Sequence, residues 1–300
     1  ARAIRDDGID IVVDLAGHTP GNRLTALARR PAPVALTWLD YFDTTGSEAF
    51  DAIVTDALHT PPGGAQPFAE RRLRLAPLRF CYAAPDYAPA TTPPPAAAGA
   101  PVVFGAFHRH AKMGAGVLRA WAALLAQVPG ARLVIKNDAL GDERERAWHA
   151  ERLAAAGLPM ARVELRGASA HAEMLAEYGG IDIALDTFPY NGGITTLEAL
   201  WMGRPVVAVE GETIISRQSA AILRTLGLAE LVARDGAGMA EIAAGLARDP
   251  ARLSRISAGL RERVAASPLC DAAAFTRSLE GAYRAAWRAW CANAPVGEAS

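Results

Sequence analysis

The side chains best suited to chemistry in this 300-residue sequence cluster in one run: Asp186-Thr187-Phe188-Pro189-Tyr190-Asn191-Gly192-Gly193-Ile194-Thr195-Thr196, with Glu198 just beyond. Asn191, Gly192 and Gly193 let backbone come close to a ligand, and Thr195 and Thr196 stand where a helical pattern begins. A helix N-terminus offers free N–H groups and a dipole that favours an anion such as a diphosphate. Glu198, one turn in, could accept hydrogen bonds from ribose hydroxyls. The same run also reads as a tight strand-to-helix turn with threonine as its cap, and residue types leave both readings open. It is neither a G-x-G-x-x-G fingerprint nor a Walker loop, so hydride transfer and ATP hydrolysis lack their main signatures.

Three further segments could take part. Phe104–Phe107 runs into His108-Arg109-His110-Ala111-Lys112, four cationic or titratable side chains at one strand end. A lysine there could neutralise charge on a departing diphosphate; a solvated basic loop is the alternative. Gly211–Arg217 opens another helical stretch, with Glu212 favoured by the dipole, Ser216 as a candidate cap and Arg217 as a second phosphate or interdomain contact. Asp14 and His18 flank the turn after Ile9–Leu15, where a histidine could titrate usefully or the pair could simply stabilise the turn. Trp201 and Tyr178 read as core. No D-x-D pair stands at a strand end and the three cysteines lack metal spacing, so no metal is expected.

These segments need a scaffold that places strand ends side by side. After residue 100 strand-like runs (Val102–Phe107, Arg132–Lys136, Val163–Arg166, Ile181–Leu185, Pro205–Val209, Leu231–Ala233) alternate with helical patterns (Gly116–Val128, Glu143–Ala156, Ala170–Tyr178, Thr195–Met202, Ser216–Leu226). Such alternation predicts a parallel, doubly wound α/β sheet, with ligands at the carboxyl ends of its strands. Before residue 100, Ile9–Leu15, Val34–Leu39 and Ala52–Thr55 are strand candidates and Asn22–Arg30 a short helix. Residues 83–100 are Pro/Ala-rich without a period, a linker composition. The division expected is 1–100, an N-terminal lobe with linker; 101–270, the ligand-binding lobe; and 271–300, a Trp/Tyr-rich helix packing back towards the first lobe. Two amphipathic helices, 250–266 and 271–290, close the chain. A content of 51% hydrophobic and 21% charged residues is that of a soluble globular protein, and a net charge of −1 without a basic patch argues against nucleic acid. No apolar run is long enough for a membrane helix, and widely spaced cysteines suit a reducing, cytoplasmic setting.

Taken in order, these segments resemble the bacterial branch of the O-GlcNAc transferase/SPINDLY family. The runs that carry the resemblance are Asp7–Thr19, Arg30–Val34, Trp38-Leu39 with Tyr41 and Thr44-Thr45-Gly46, Asp51–Asp56, Phe107 with Lys112, Leu185–Trp201, Gly211-Glu212-Thr213 with Ser216-Arg217, Ser267-Pro268-Leu269 and the terminal helix. The resemblance implies a GT-B fold, two Rossmann-like lobes around a nucleotide-sugar, UDP-GlcNAc in the first instance, and inverting transfer to Ser/Thr of protein acceptors. It places Lys112 at the donor diphosphate, with Gly193, Ile194 and Thr195 holding that diphosphate by backbone and Glu198 on the ribose. Ser169 and His171 fall in the loop facing the base, and Leu39 and Asp40 in the loop near the sugar. Together with Asn191, Gly192, Thr196 and Arg109 these form the expected donor set, while Lys112, His18 and Asp14 are the expected catalytic residues.

The departures are Met174 for a base-stacking histidine, Ile194 for threonine, Asp40 for glycine, and His108-Arg109-His110 for an Asn/Gln-type pattern. The family's first βα unit and its tetratricopeptide helices are expected before Ala1, leaving the first lobe incomplete. The partners expected are a nucleotide-sugar and a protein acceptor, with no cofactor beyond the donor. A nucleotide-binding module without catalysis is the alternative.

Overall fold

The computed structural model describes residues 1–298, which divide into two compact units. The first holds Ala1–Tyr82, Glu212–Ile215 and the described residues from Pro268 on; the second holds Ala83–Gly211 and Ser216–Ser267. Each is an α/β unit built on a wholly parallel sheet. In chain order the first unit contributes α1 (Arg2–Asp6), β1 (Ile11–Asp14), α2 (Leu24–Leu27), β2 (Val34–Thr37), β3 (Ala52–Asp56) and β4 (Arg71–Leu75). Its sheet has the order β1-β2-β3-β4. β2 and β3 are buried along their whole length, as apolar runs in a sheet covered on both faces must be. Leu27, Ala35 and Phe50 pack with Ile4, Val12 and Leu24 on one face. Val34, Leu36, Ala52, Val54 and Leu75 pack on the other against Phe275, Leu279, Tyr283 and Trp287.

The second unit runs β5 (Val103–Phe107), α3 (Ala115–Gln127), β6 (Arg132–Lys136), α4 (Glu143–Ala155), β7 (Val163–Arg166), α5 (His171–Glu177), β8 (Ile183–Leu185), α6 (Ile194–Trp201), β9 (Val206–Val209), α7 (Ile214–Thr225), β10 (Val232–Ala233), α8 (Gly236–Ala247), α9 (Pro250–Ser257) and α10 (Leu260–Ala265). The first two residues of α7 group with the first unit, where Ile214 packs with Ile53 and Phe68. α11 (Ala272–Cys291) completes the chain. The six strands are ordered β10-β9-β8-β5-β6-β7. The chain therefore builds outward from β5 through β6 and β7, then restarts at β8 on the other side of β5. Among the described residues no helix is long and apolar enough to cross a membrane.

Four expectations are revised. Residues 83–100, read as linker, are hydrogen-bonded into the second unit. Ala96 N–H and Val103 N–H donate to the two carboxylate oxygens of Asp182 at 2.8 Å each, Arg204 reaches Thr92 Oγ1 at 2.8 Å, and Arg261 reaches Pro89 O at 2.6 Å. The single helix expected at 250–266 is broken at Gly259, whose φ of +78° ends α9 and starts α10. α7 starts before Ser216, which therefore lies inside the helix and is not its cap. β4 and α8 have no counterpart among the elements expected from sequence.

Candidate functional site

The reversal of strand order at β5 and β8 sets the two strand ends next to each other, the place where doubly wound sheets open a crevice for ligands. From β5 comes the loop carrying Lys112, and from β8 the turn Asp186–Gly193 that enters α6. Lys112 Nζ donates to Asn191 O at 2.8 Å and stands 4.1 Å from the centroid of the Tyr190 ring. Burial pulls the Lys112 ammonium below the ordinary lysine range; the Asp186 carboxylate pulls it back up, and Arg109 pushes it down again. A cation is thus held over the backbone that leads into a helix start.

The turn is organised from below by Asp186, which is fully buried. Its Oδ1 accepts from Thr187 N–H at 2.8 Å and from Gly192 N–H at 2.7 Å. Asn191, also fully buried, donates through Nδ2 to Thr187 O at 2.8 Å and Val209 O at 3.2 Å. Thr196 Oγ1 and Ser219 Oγ lie 2.7 Å apart, and Ser219 Oγ donates to Gly192 O at 3.2 Å. Gly193 is the N-cap of α6 and brings no capping side chain, so the first N–H groups of the helix, from Ile194 on, have no cap within their own helix. The Ile194 side chain is exposed and cannot bond its own helix start, while its N–H is kept.

Glu198 is 5% exposed, and its Oε1 lies 2.8 Å from His171 Nε2. Burial raises the Glu198 carboxyl above its ordinary range and the His171 partner opposes that rise. His171 Nδ1 in turn lies 2.8 Å from the Tyr87 hydroxyl. Ser169 turns away from this group: its hydroxyl donates to Glu177 Oε1 at 2.7 Å, within an ion cluster that includes Lys136 and Arg166.

Asp14 is buried and its Oδ2 accepts from Gly17 N–H at 2.7 Å, closing the turn after β1. His18 Nε2 lies 2.8 Å from Thr45 O. A carbonyl accepts only, so Nε2 carries the proton and Nδ1 is the acceptor of the neutral ring. Leu39 adopts a positive φ of 70°, and its carbonyl accepts from Arg79 at 3.1 Å. Burial pushes the Arg79 guanidinium down to about 10, with Asp56 and then Asp40 opposing. Asp40 itself is exposed.

The structure thus gathers Lys112, Asn191, Gly192, Gly193, Ile194, Thr195, Thr196, Glu198 and His171 around the start of α6. Of the four cationic or titratable side chains read at this strand end, as a phosphate site or as a solvated basic loop, His108 fits neither expectation, since it is buried. Its Nε2 donates to Leu185 O at 3.0 Å and stands 3.7 Å from Asp186 Oδ1. Burial lowers its pKa; Asp186 opposes and Lys112 adds to the fall. Arg109 and His110 remain exposed. Arg217 bonds Glu210 at 2.7 Å and Gly211 O at 3.0 Å. Among the described residues no group of three or more His, Cys, Asp or Glu could hold a metal ion.

A protein-family profile described as Glycosyl transferase family 41 matches residues 1–86 and 95–279. The chain belongs to glycosyl transferase family 41. It is 41% identical over 96% of its length to the probable UDP-N-acetylglucosamine–peptide N-acetylglucosaminyltransferase SPINDLY of Petunia hybrida, and 38% identical over 97% to that of rice. It spans about a third of those relatives, 31% and 32% of their lengths. Among solved structures, a lysine-to-methionine mutant of Thermobaculum terrenum O-GlcNAc transferase matches with a TM-score of 0.90 at 41% identity, covering 97% of this chain and 55% of that one. The fold of this family-41 chain is therefore of the GT-B type.

Sequence reasoning missed the inward turn of His108, the carboxylate of Asp186 as organiser of the turn, and Tyr87. For Asp186 a signal was present: an acidic residue ending an apolar strand must find donors, and the nearest are the N–H groups of its own turn. Tyr87 gave none, standing in a segment without periodicity.

Proposed function

We propose that this chain is the catalytic region of a protein O-GlcNAc transferase-type enzyme. It would transfer GlcNAc from UDP-GlcNAc to Ser/Thr hydroxyls of protein acceptors with inversion. The observation that carries this reading is the Lys112 ammonium on Asn191 O at the uncapped start of α6. In direct displacement the acceptor oxygen bonds to the anomeric carbon as its bond to the diphosphate oxygen breaks. The acceptor proton passes to a base, and negative charge grows on the leaving diphosphate. Lys112 and the first N–H groups of α6 are preorganised for that charge, and preorganised electrostatics of this kind is usually the main source of such a rate enhancement. They do the work a metal ion does elsewhere, so the proposed reaction needs no cofactor besides the donor. Glu198 and His171 are assigned to the nucleoside, Leu39 and Asp40 to the sugar, and His18, with Nδ1 free to accept, to acid–base work beside Asp14. Ser169 is assigned to the base through its backbone, since its hydroxyl is committed to Glu177. The partners proposed are a nucleotide-sugar and a protein in the cytoplasm, and the near-neutral charge gives no support for nucleic acid.

Thermal unfolding with UDP, GDP and ADP tests the donor site. A ligand at about 100 times its dissociation constant stabilises by roughly 2.7 kcal/mol, and UDP is expected to give the largest shift. Lys112→Ala is expected to weaken UDP by roughly ten-fold or more, the loss of a charge-assisted contact of about 1.5–3 kcal/mol. A folded protein that responds to no nucleotide overturns the reading. His18→Ala is expected to lower kcat while nucleotide affinity stays; a fall in affinity alone removes His18 from acid–base work.

A further inference from the structure

We propose that Tyr87 is a positioning residue for nucleotide binding, holding Glu198 through His171 in the orientation that receives a ribose hydroxyl. The inference rests on the proposed donor site, in which Glu198 faces the ribose, and adds a residue from the segment before β5. Three groups form one chain: the Tyr87 hydroxyl is 2.8 Å from His171 Nδ1, and His171 Nε2 is 2.8 Å from Glu198 Oε1. The Tyr87 and His171 rings meet edge to face, with centroids 5.7 Å apart and planes at 81°. The proton positions follow from chemistry. A carboxylate oxygen accepts, so Nε2 bears the hydrogen; in the neutral ring Nδ1 is then an acceptor, and the Tyr87 O–H donates to it. Tyr87 thereby selects the tautomer that points N–H at Glu198, as an outer partner fixes a ligating histidine in a metal site.

Two observations place the consequence of this bond at Glu198 and not in the fold. Tyr87 is 56% exposed and the His171 side chain 42% exposed, so their hydrogen bond shields little from water and contributes little to stability. The segment is also anchored without it, by Arg261 on Pro89 O and Arg204 on Thr92 Oγ1. Glu198 has the opposite character. It is buried, and among the described residues His171 is the hydrogen-bond partner of its carboxylate. A carboxylate in that position depends on its one donor to stay ionised and aimed. A ribose hydroxyl then meets an oriented acceptor in place of one that must reorganise on binding.

The test is calorimetric titration with UDP and GDP, each beside its 2′,3′-dideoxy analogue, on wild type, Tyr87→Phe, Glu198→Gln, the double variant and Lys112→Ala. Tyr87→Phe is expected to weaken the preferred ribonucleotide roughly 3- to 10-fold, the range of one neutral hydrogen bond, and to leave its dideoxy analogue within about two-fold. In the Glu198→Gln background the same change is expected to add almost nothing, because the group through which Tyr87 acts is altered. Unchanged ribonucleotide affinity in Tyr87→Phe, or an equal loss for both nucleotides, overturns the positioning role while Lys112→Ala still weakens binding. If Lys112→Ala is also without effect, or wild type binds neither nucleotide, the donor-site reading falls and this inference with it.

Discussion

A side chain at position 192 would place its first carbon 2.6 Å from Thr196 Oγ1, 2.8 Å from Thr195 Oγ1 and 3.2 Å from Asp186 Oδ1. Two of these cannot withdraw cheaply. Asp186 is bonded to the turn through that oxygen, and Thr196 is tied to Ser219. At Gly193 the three atoms nearest the added carbon would be Gln218 side-chain atoms, at an ordinary 3.5–3.8 Å. Gly192→Ala is therefore expected to destabilise by about 1–3 kcal/mol, the ordinary cost of overpacking. It should also weaken nucleotide more than Gly193→Ala does, since the displaced groups line the helix start. Urea denaturation and titration with UDP on both variants and wild type check this; a Gly192→Ala variant as stable and as tight-binding as wild type would show that Gly192 is needed for neither packing nor binding.

At the scale of elements, β2, β3, β6 and β9 were legible because a strand buried on both faces has to be an apolar run. β4 was not. Its sequence, Arg71-Arg72-Leu73-Arg74-Leu75, reads as polar because its arginines are satisfied by chain far away, Arg71 by Gly297 O at 3.0 Å and Arg74 by Glu298. α8 hid for another reason: Gly236–Ala247 is mostly glycine and alanine, which pack closely on α3 but give a weak periodic signal. The Asp186–Gly193 turn was legible as a strand-to-helix junction, and family resemblance added the expectation of a donor site there. The path of residues 83–100 was not legible, because buried polar groups distant in sequence decide it. Asp182 carries the clearest case. It accepts from Ala96 and Val103 with both oxygens, although burial raises its pKa. Asp182→Asn turns one acceptor into a donor facing an N–H, and is expected to destabilise by about 1–3 kcal/mol. Hydrogen exchange should quicken around Ala96 and Val103; unchanged exchange there would mean that the segment is held by Arg204 and Arg261 alone.

At the scale of the whole molecule, the two units carry titratable groups that respond to acid in different pH ranges. In the second unit His108 and His149 are both shifted below the ordinary histidine value of 6.5, chiefly by burial. His108 faces Asp186, which opposes the shift, and Lys112, which adds to it. His149 faces His110 and Arg152, which add to it, and Glu145, which opposes it. Folded, these rings stay neutral where the unfolded chain takes up a proton. Stability is therefore full above about pH 6.5 and is lost as pH falls below it, by at most about 1.4 kcal/mol per pH unit for each ring. Asp182 and Glu198, with raised pKa, act in the opposite sense and are relieved only as pH falls towards the carboxylate range. In the first unit, Asp56 is held below its ordinary value despite the opposing burial, through bonds from His59 and Arg79 N–H. Its contribution is kept above the ordinary value of 3.8 and is lost as pH falls from there through the lowered one, well under the histidine window. Between pH 7.5 and 5.5 the second unit should thus lose stability while Asp56 holds its contribution in the first. Hydrogen exchange at the two pH values is expected to quicken in β5, α3 and α4 and to change less in β2 and β3. His108→Gln, which can still donate to Leu185 O but cannot titrate, should lower the pH slope of the urea midpoint by one proton's worth. An unchanged slope would assign the acid sensitivity to other groups.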